Sequence, residues 1–138
     1  MYRTDAVTDY VQTALEARER AYAPYSHFRV GACLVAEDGR VFTGCNVENA
    51  AYPATRCAEQ GALLAAVAAG ARRFAVIAIA SDSADFTLPC GVCRQMLSEF
   101  APNLRVICAN REGTWREYSL ETLLPGAFCA AAMEGEQP

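Results

Sequence analysis

CAEQGALLAAVAAGARRFAVIAIA, residues 57–80, runs from a helix pattern straight into a strand pattern. Alanine, leucine and glutamine are strong helix formers, and Gly70 stands where a helix closes in a left-handed cap. FAVIAIA is an uninterrupted β-compatible run of the kind found in strands covered on both faces; periodicity alone also admits a buried helix segment. A helix feeding such a strand predicts helices packed on a mixed sheet.

The flanking sequence agrees. Upstream, FRVGACLVA (28–36) and RVFTGCNVE (40–48) are joined across EDG, so an Asp-Gly turn links two antiparallel strands. Before them, Val7, Tyr10, Val11, Ala14 and Leu15 recur at helical steps, predicting an amphipathic helix from Thr4 to about Arg20, with Thr4 as cap and Asp5 in its first turn. Pro24 breaks it. Downstream come a loop over 81–88, a helix in CGVCRQMLSEF stopped near Pro102 and a buried strand LRVICA. A turn at NREG, a weaker strand TWREY and a short helix SLETLL follow, and the tail 129–138 is expected to fray. The order α, β, β, α, β, α, β, β, α predicts an α/β fold: a mixed five-stranded sheet with helices on both faces and right-handed parallel crossovers at its centre.

Composition bounds the function. A chain of 138 residues that is 53% hydrophobic buries one core, so a single domain over 1–138 is expected. No apolar run reaches the roughly 20 residues of a membrane span, and no secretory pattern opens the chain, so the cytoplasm is the expected compartment. Net charge is −4, and the twelve basic residues, all arginine, are scattered, which argues against a nucleic-acid polymer as partner. Seven cysteines in such a chain point to metal binding, redox chemistry or burial rather than a disulfide framework.

Three of those cysteines carry chemistry. Cys57, Cys90 and Cys93 stand where loop gives way to helix, and free amides with the positive dipole end favour thiolates there. Brought together, they would give zinc three protein ligands and leave its fourth position open, the arrangement of catalytic rather than structural sites. Glu59, two residues after Cys57, is placed to move protons at that position without ligating the metal. Two readings compete. A closed structural zinc would need a fourth ligand from Cys33, Cys45, Cys108 or His27, and a redox CxxC would leave Cys57 and Glu59 without a role. Cys33, Cys45, Cys108 and Cys129 are most simply small buried hydrophobes; His27 is read as a structural loop residue, Trp115 and Tyr118 as sheet packing.

The combination of YAPYSHFRVGA (22–32), GCNVENAAYP (44–53), CAE (57–59), PCGVCRQ (89–95) and LLPGAF (123–128) resembles the cytidine deaminases of the small three-cysteine zinc type over about residues 5–128. The resemblance implies a three-layer α-β-α deaminase fold, one Zn2+ per chain on Cys57, Cys90 and Cys93, and Glu59 as general acid and base. The implied reaction is hydrolysis of cytidine and 2′-deoxycytidine to the uridine nucleosides with release of ammonia, in pyrimidine salvage, by a homotetramer. By the same resemblance Asn46 and Glu48 hold the ribose 3′-hydroxyl, the Ala58 backbone contacts the pyrimidine, and Phe28 flanks the base. Tyr52 and Phe128 resemble residues that a neighbouring subunit contributes to the pocket. The family has an arginine against the thiolates where this chain has Gln60. Three thiolates on one divalent ion leave a net negative charge, so a compensating cation is expected from Arg56 or Arg94. The same departure is shared with blasticidin S deaminases, making another cytosine nucleoside the alternative substrate.

Overall fold

A computed structural model describes residues 6–133. Helix α1 (Val7–Arg18) leads into a hairpin of β1 (Val30–Ala36) and β2 (Val41–Cys45). There follow α2 (Ala58–Ala68), β3 (Phe74–Ser81), α3 (Gly91–Phe100), β4 (Arg105–Ala109), β5 (Trp115–Ser119), α4 (Leu120–Leu123) and α5 (Ala130–Met133). Thr4 and Asp5, read above as cap and first-turn acid, lie outside the described residues, as does the tail from 134 onward. Ala130–Met133, part of the 129–138 stretch expected to fray, form the helical turn α5.

The strands make one mixed sheet in the order β2-β1-β3-β4-β5. The β1–β2, β1–β3 and β4–β5 pairs are antiparallel; β3 and β4 are parallel, joined through α3. FAVIAIA is therefore the central strand, and its apolar continuity reflects cover on both faces. Alternate residues divide between two cores. Cys33, Val35, Val76, Ala78 and Ile107 pack under Val7, Tyr10, Val11 and Ala14 of α1. Leu34, Ile77, Ile79, Val106 and Cys108 pack under Ala58, Ala62 and Leu63 of α2, Leu97 of α3 and Leu120 of α4. Helices thus cover both faces, in three layers.

Turn chemistry fits the hairpin, since Gly39 holds φ at 95° and its N–H donates to the Ala36 carbonyl. Gly44 has a steric role: a Cβ there would lie 2.2 Å from the Ala58 carbonyl oxygen and 2.5 Å from the Ala62 nitrogen. Only glycine lets the first turn of α2 rest on β2. Cys33 and Cys108 are buried as expected and Cys45 half-buried, but Cys129 is exposed, because the segment after Phe128 leaves the core.

Candidate metal and active site

Crossovers β2–α2–β3 and β3–α3–β4 place the N-termini of α2 and α3 at one end of the sheet. Cys57 caps α2 and Cys90 caps α3, while Cys93 sits buried in the first turn of α3. The Cys57 and Cys90 sulfurs are 3.8 Å apart and those of Cys90 and Cys93 3.4 Å. All three lie within 4.8 Å of one another. Sulfurs sharing a tetrahedral zinc at about 2.3 Å would be spaced by about 3.8 Å, so the trio fits such an ion. No other group of three or more metal-ligating side chains is gathered among the described residues. Neither His27 nor Cys33, Cys45 or Cys108 joins the trio, so the closed four-ligand reading finds no fourth side chain among the described residues.

The trio is electrostatically tense. Hydrogen bonding from the Cys93 thiol, with help from Cys90 and the Arg56 charge, outweighs burial and brings the Cys57 thiol down to about 6. The hydrogen bond to Cys57 and burial push the Cys93 thiol up, so it stays protonated beside the Cys57 sulfur. Glu59 is 4% exposed, and burial, reinforced by the Cys57 charge, pushes its carboxyl up to about 7 against hydrogen bonds from its own amide and Cys93. That places its proton exchange near neutrality, where a group that both takes and gives protons works best.

Above the sulfurs lies a cavity of about 220 Å3. Phe28, Asn46, Arg56, Cys57, Ala58, Glu59 and Cys90 line it, bringing most of the residues selected by sequence to one place. Val30, Thr55, Thr87 and Leu88 complete its walls. Sequence reasoning missed these four: they carry no chemical signature, and only the fold gathers their separate segments.

Asn46 holds the mouth of this cavity, its Nδ2 donating to the Phe28 carbonyl and its Oδ1 accepting from the Val30 N–H, each at 2.8 Å. Glu48 and Tyr52 line an adjoining cavity of about 310 Å3 that shares Thr55 with the first. The Glu48 carboxylate accepts from the Tyr25 and Ser26 amides and the Ser26 hydroxyl, which hold it below the usual carboxylate range. This secures the loop ahead of His27, whose φ of 58° turns the chain so that Phe28 faces the cavity. Tyr25 and Tyr52 meet edge to face with ring centroids 6.1 Å apart. Phe128 lines neither cavity and is 61% exposed; its carbonyl accepts from Gln95 Nε2 at 2.9 Å.

The two arginines expected to balance the thiolates are directed mainly elsewhere. Arg94 donates to the carbonyls of Pro89 and Leu123, both at 2.7 Å. Arg56 donates to those of Pro53 and Thr55, and reaches Cys57 only through its charge. Gln60, standing at the departure, does touch the trio: its Nε2 donates to Cys93 Sγ at 3.5 Å.

Residues 5–110 match the family of the cytidine and deoxycytidylate deaminase zinc-binding region. The chain belongs to this family. The cytidine deaminase of Sporosarcina psychrophila is 47% identical over 114 residues, covering 82% of this chain and 84% of that protein. That of Halalkalibacterium halodurans is 44% identical over 124 residues, covering 89% and 94%. Among solved structures, the Burkholderia pseudomallei cytidine deaminase superposes with a TM-score of 0.85 at 48% identity, over 92% of this chain and all of that one. The Mycobacterium tuberculosis enzyme gives 0.77 at 39% identity, over 87% and 94%. Membership makes zinc the cofactor, and the Cys57, Cys90 and Cys93 cluster is what can hold it.

Proposed function

We propose that this chain is a zinc-dependent cytidine deaminase that hydrolyses cytidine and 2′-deoxycytidine to uridine and 2′-deoxyuridine with release of ammonia. The observation that carries this reading is the buried Glu59 carboxyl beside three clustered sulfurs, at the floor of a small, largely apolar cavity. Cys57, Cys90 and Cys93 would hold the zinc, which when bound supplies Lewis acidity that makes a water molecule nucleophilic near neutral pH.

The residues of the chain do the rest. Phe28 and Leu88 offer apolar walls against which a flat base would lie, with the Ala58 backbone at the pyrimidine edge; all three line the cavity. Asn46 and Glu48 hold the ribose 3′-hydroxyl. Glu59 takes a proton from the attacking water and places it on N3 as the oxygen bonds to C4. It then carries the remaining hydroxyl proton to the exocyclic nitrogen; the C4–N bond breaks and ammonia leaves. A carboxyl that exchanges its proton near neutrality can serve in both directions.

Residues 1–138 form one catalytic domain with its core over about 5–128, acting in pyrimidine salvage in the cytoplasm as a homotetramer. The exposure of Tyr52 and Phe128 supports their service in a neighbouring subunit's site. The free nucleoside is the substrate: among the described residues Arg56 is the arginine lining the cavity, and it donates to the Pro53 and Thr55 carbonyls, which leaves a 5′-phosphate little basic support there. No helix among the described residues is long and apolar enough to cross a membrane.

Gln60 favours one second reading, an antibiotic-like cytosine nucleoside as substrate. A panel of cytidine, 2′-deoxycytidine, cytidine 5′-phosphate and blasticidin S, followed by ultraviolet absorbance and ammonia release, tests both. Turnover of the two free nucleosides above the others is expected. Turnover of blasticidin S alone would replace the first reading with the second, and no ammonia from any of them would remove both.

A further inference from the structure

Gln60 is the third residue of α2 and only 4% exposed. Its Oε1 accepts from the backbone N–H of Cys57 at 3.3 Å, closing a capping box at the helix start, and its Nε2 donates to the sulfur of Cys93 at 3.5 Å. Cys57 belongs to the start of α2 and Cys93 to the first turn of α3. One neutral side chain therefore joins the two helix ends that must supply sulfurs to the same ion. Among the described residues it is also the side chain whose N–H reaches a sulfur of the trio; the Arg56 and Arg94 guanidiniums donate to carbonyls instead.

We propose that Gln60 is a positioning residue of the metal centre: it fixes the spacing between Cys57 and Cys93 through a buried amide, without adding a cation. The inference rests on the reading that Cys57, Cys90 and Cys93 hold zinc. A buried primary amide suits the task because its acceptor and donor ends diverge, so both bonds persist only while the two helix starts keep one separation. Partners of this kind orient metal ligands, and their loss typically weakens metal retention by about 10- to 100-fold.

The test is zinc release from the intact zinc-loaded protein into a chromogenic chelator, for wild type, Gln60→Ala and Gln60→Glu. Gln60→Ala is expected to release zinc about 10- to 100-fold faster. Gln60→Glu keeps an acceptor for the Cys57 N–H but turns an oxygen toward the Cys93 sulfur, and is expected to release it at least as fast. The Co2+-substituted proteins supply a readout that overall stability does not move: their visible ligand-field bands follow the sulfur geometry and should shift in both variants. Release rates and bands unchanged in folded Gln60→Ala would overturn the proposal. If that variant fails to fold, the near-isosteric Gln60→Glu decides in the same way. Cytidine turnover does not enter the test, so a wild type inactive on cytidine with Gln60-dependent zinc retention would sink the proposed function and leave this inference standing.

Discussion

Gly44 on β2 lies so close to Ala58 on α2 that a methyl group on the glycine would approach the Ala58 carbonyl oxygen to 2.2 Å. The neighbour is backbone, and it belongs to the turn that carries Cys57 and Glu59, so it cannot yield without moving the site. Gly44→Ala is expected to cost about 1–3 kcal/mol of stability. Zinc content and activity should fall further than in a core variant of similar cost under α1, such as Val11→Ala, which lies on the sheet face opposite α2 and α3. Denaturant midpoints compared with zinc per chain check this.

Metal removal should be felt in folding as well as turnover. The Cys57, Cys90 and Cys93 sulfurs come together only in the folded chain, so bound zinc stabilises it by mass action, by about 4 kcal/mol at a free concentration a thousand times the dissociation constant. Dialysis against a chelator should abolish ammonia release and lower the melting temperature, and added zinc should restore both. A zinc-free protein with unchanged melting would contradict the binding of zinc by the folded chain.

Phe128 lines neither cavity of its own chain and is held by Gln95 at its carbonyl, with its ring exposed. If that ring closes a neighbouring subunit's site on the base, Phe128→Ala forfeits an aromatic contact of about 0.5–1.5 kcal/mol, a rise in KM of roughly 2- to 13-fold, with zinc content unchanged. Steady-state kinetics on cytidine measure it. An unaltered KM would leave Phe128 as a surface residue.

Asp82 supplies one acid-sensitive contribution away from the site. Burial raises its carboxyl somewhat, but hydrogen bonds from the Arg29 side chain and backbone, with the Arg18 charge, prevail and hold it below the ordinary range. A carboxyl depressed in the folded state contributes stability that is present above its unfolded value of about 3.9 and is lost as pH falls through the lower folded value. Asp82→Asn should therefore be less stable than wild type at neutral pH and converge on it below about pH 4. Denaturant midpoints against pH test this; a constant offset would contradict it.

Much of this was legible in the chain because the signals are local. Asp38-Gly39 marks the hairpin, Gly70 closes α2, and FAVIAIA is apolar throughout because both faces of β3 are covered. TWREY, weak as a strand pattern, forms β5 at the sheet edge, where its mostly exposed residues need little apolar patterning. Cysteines at helix starts announced the metal site. What stayed hidden depends on contacts between distant segments. Thr87 and Leu88 join Val30 and Thr55 only when two loops and a strand converge, and the Gln60 bond to Cys93 requires α2 and α3 to be side by side. Charge counting offered Arg56 and Arg94 alike as compensating cations; only the fold shows that Arg94 donates to the Pro89 and Leu123 carbonyls while the Arg56 charge acts on Cys57.

The most direct test of the whole account is ammonia release from cytidine by Glu59→Gln, with zinc measured in the same sample. Glutamine keeps the volume and leaves the three sulfurs in place but cannot carry a proton, so zinc per chain should match wild type while kcat falls by at least about 10²- to 10⁴-fold. Turnover near wild type in that variant would contradict the account, because some other group would then be moving the protons.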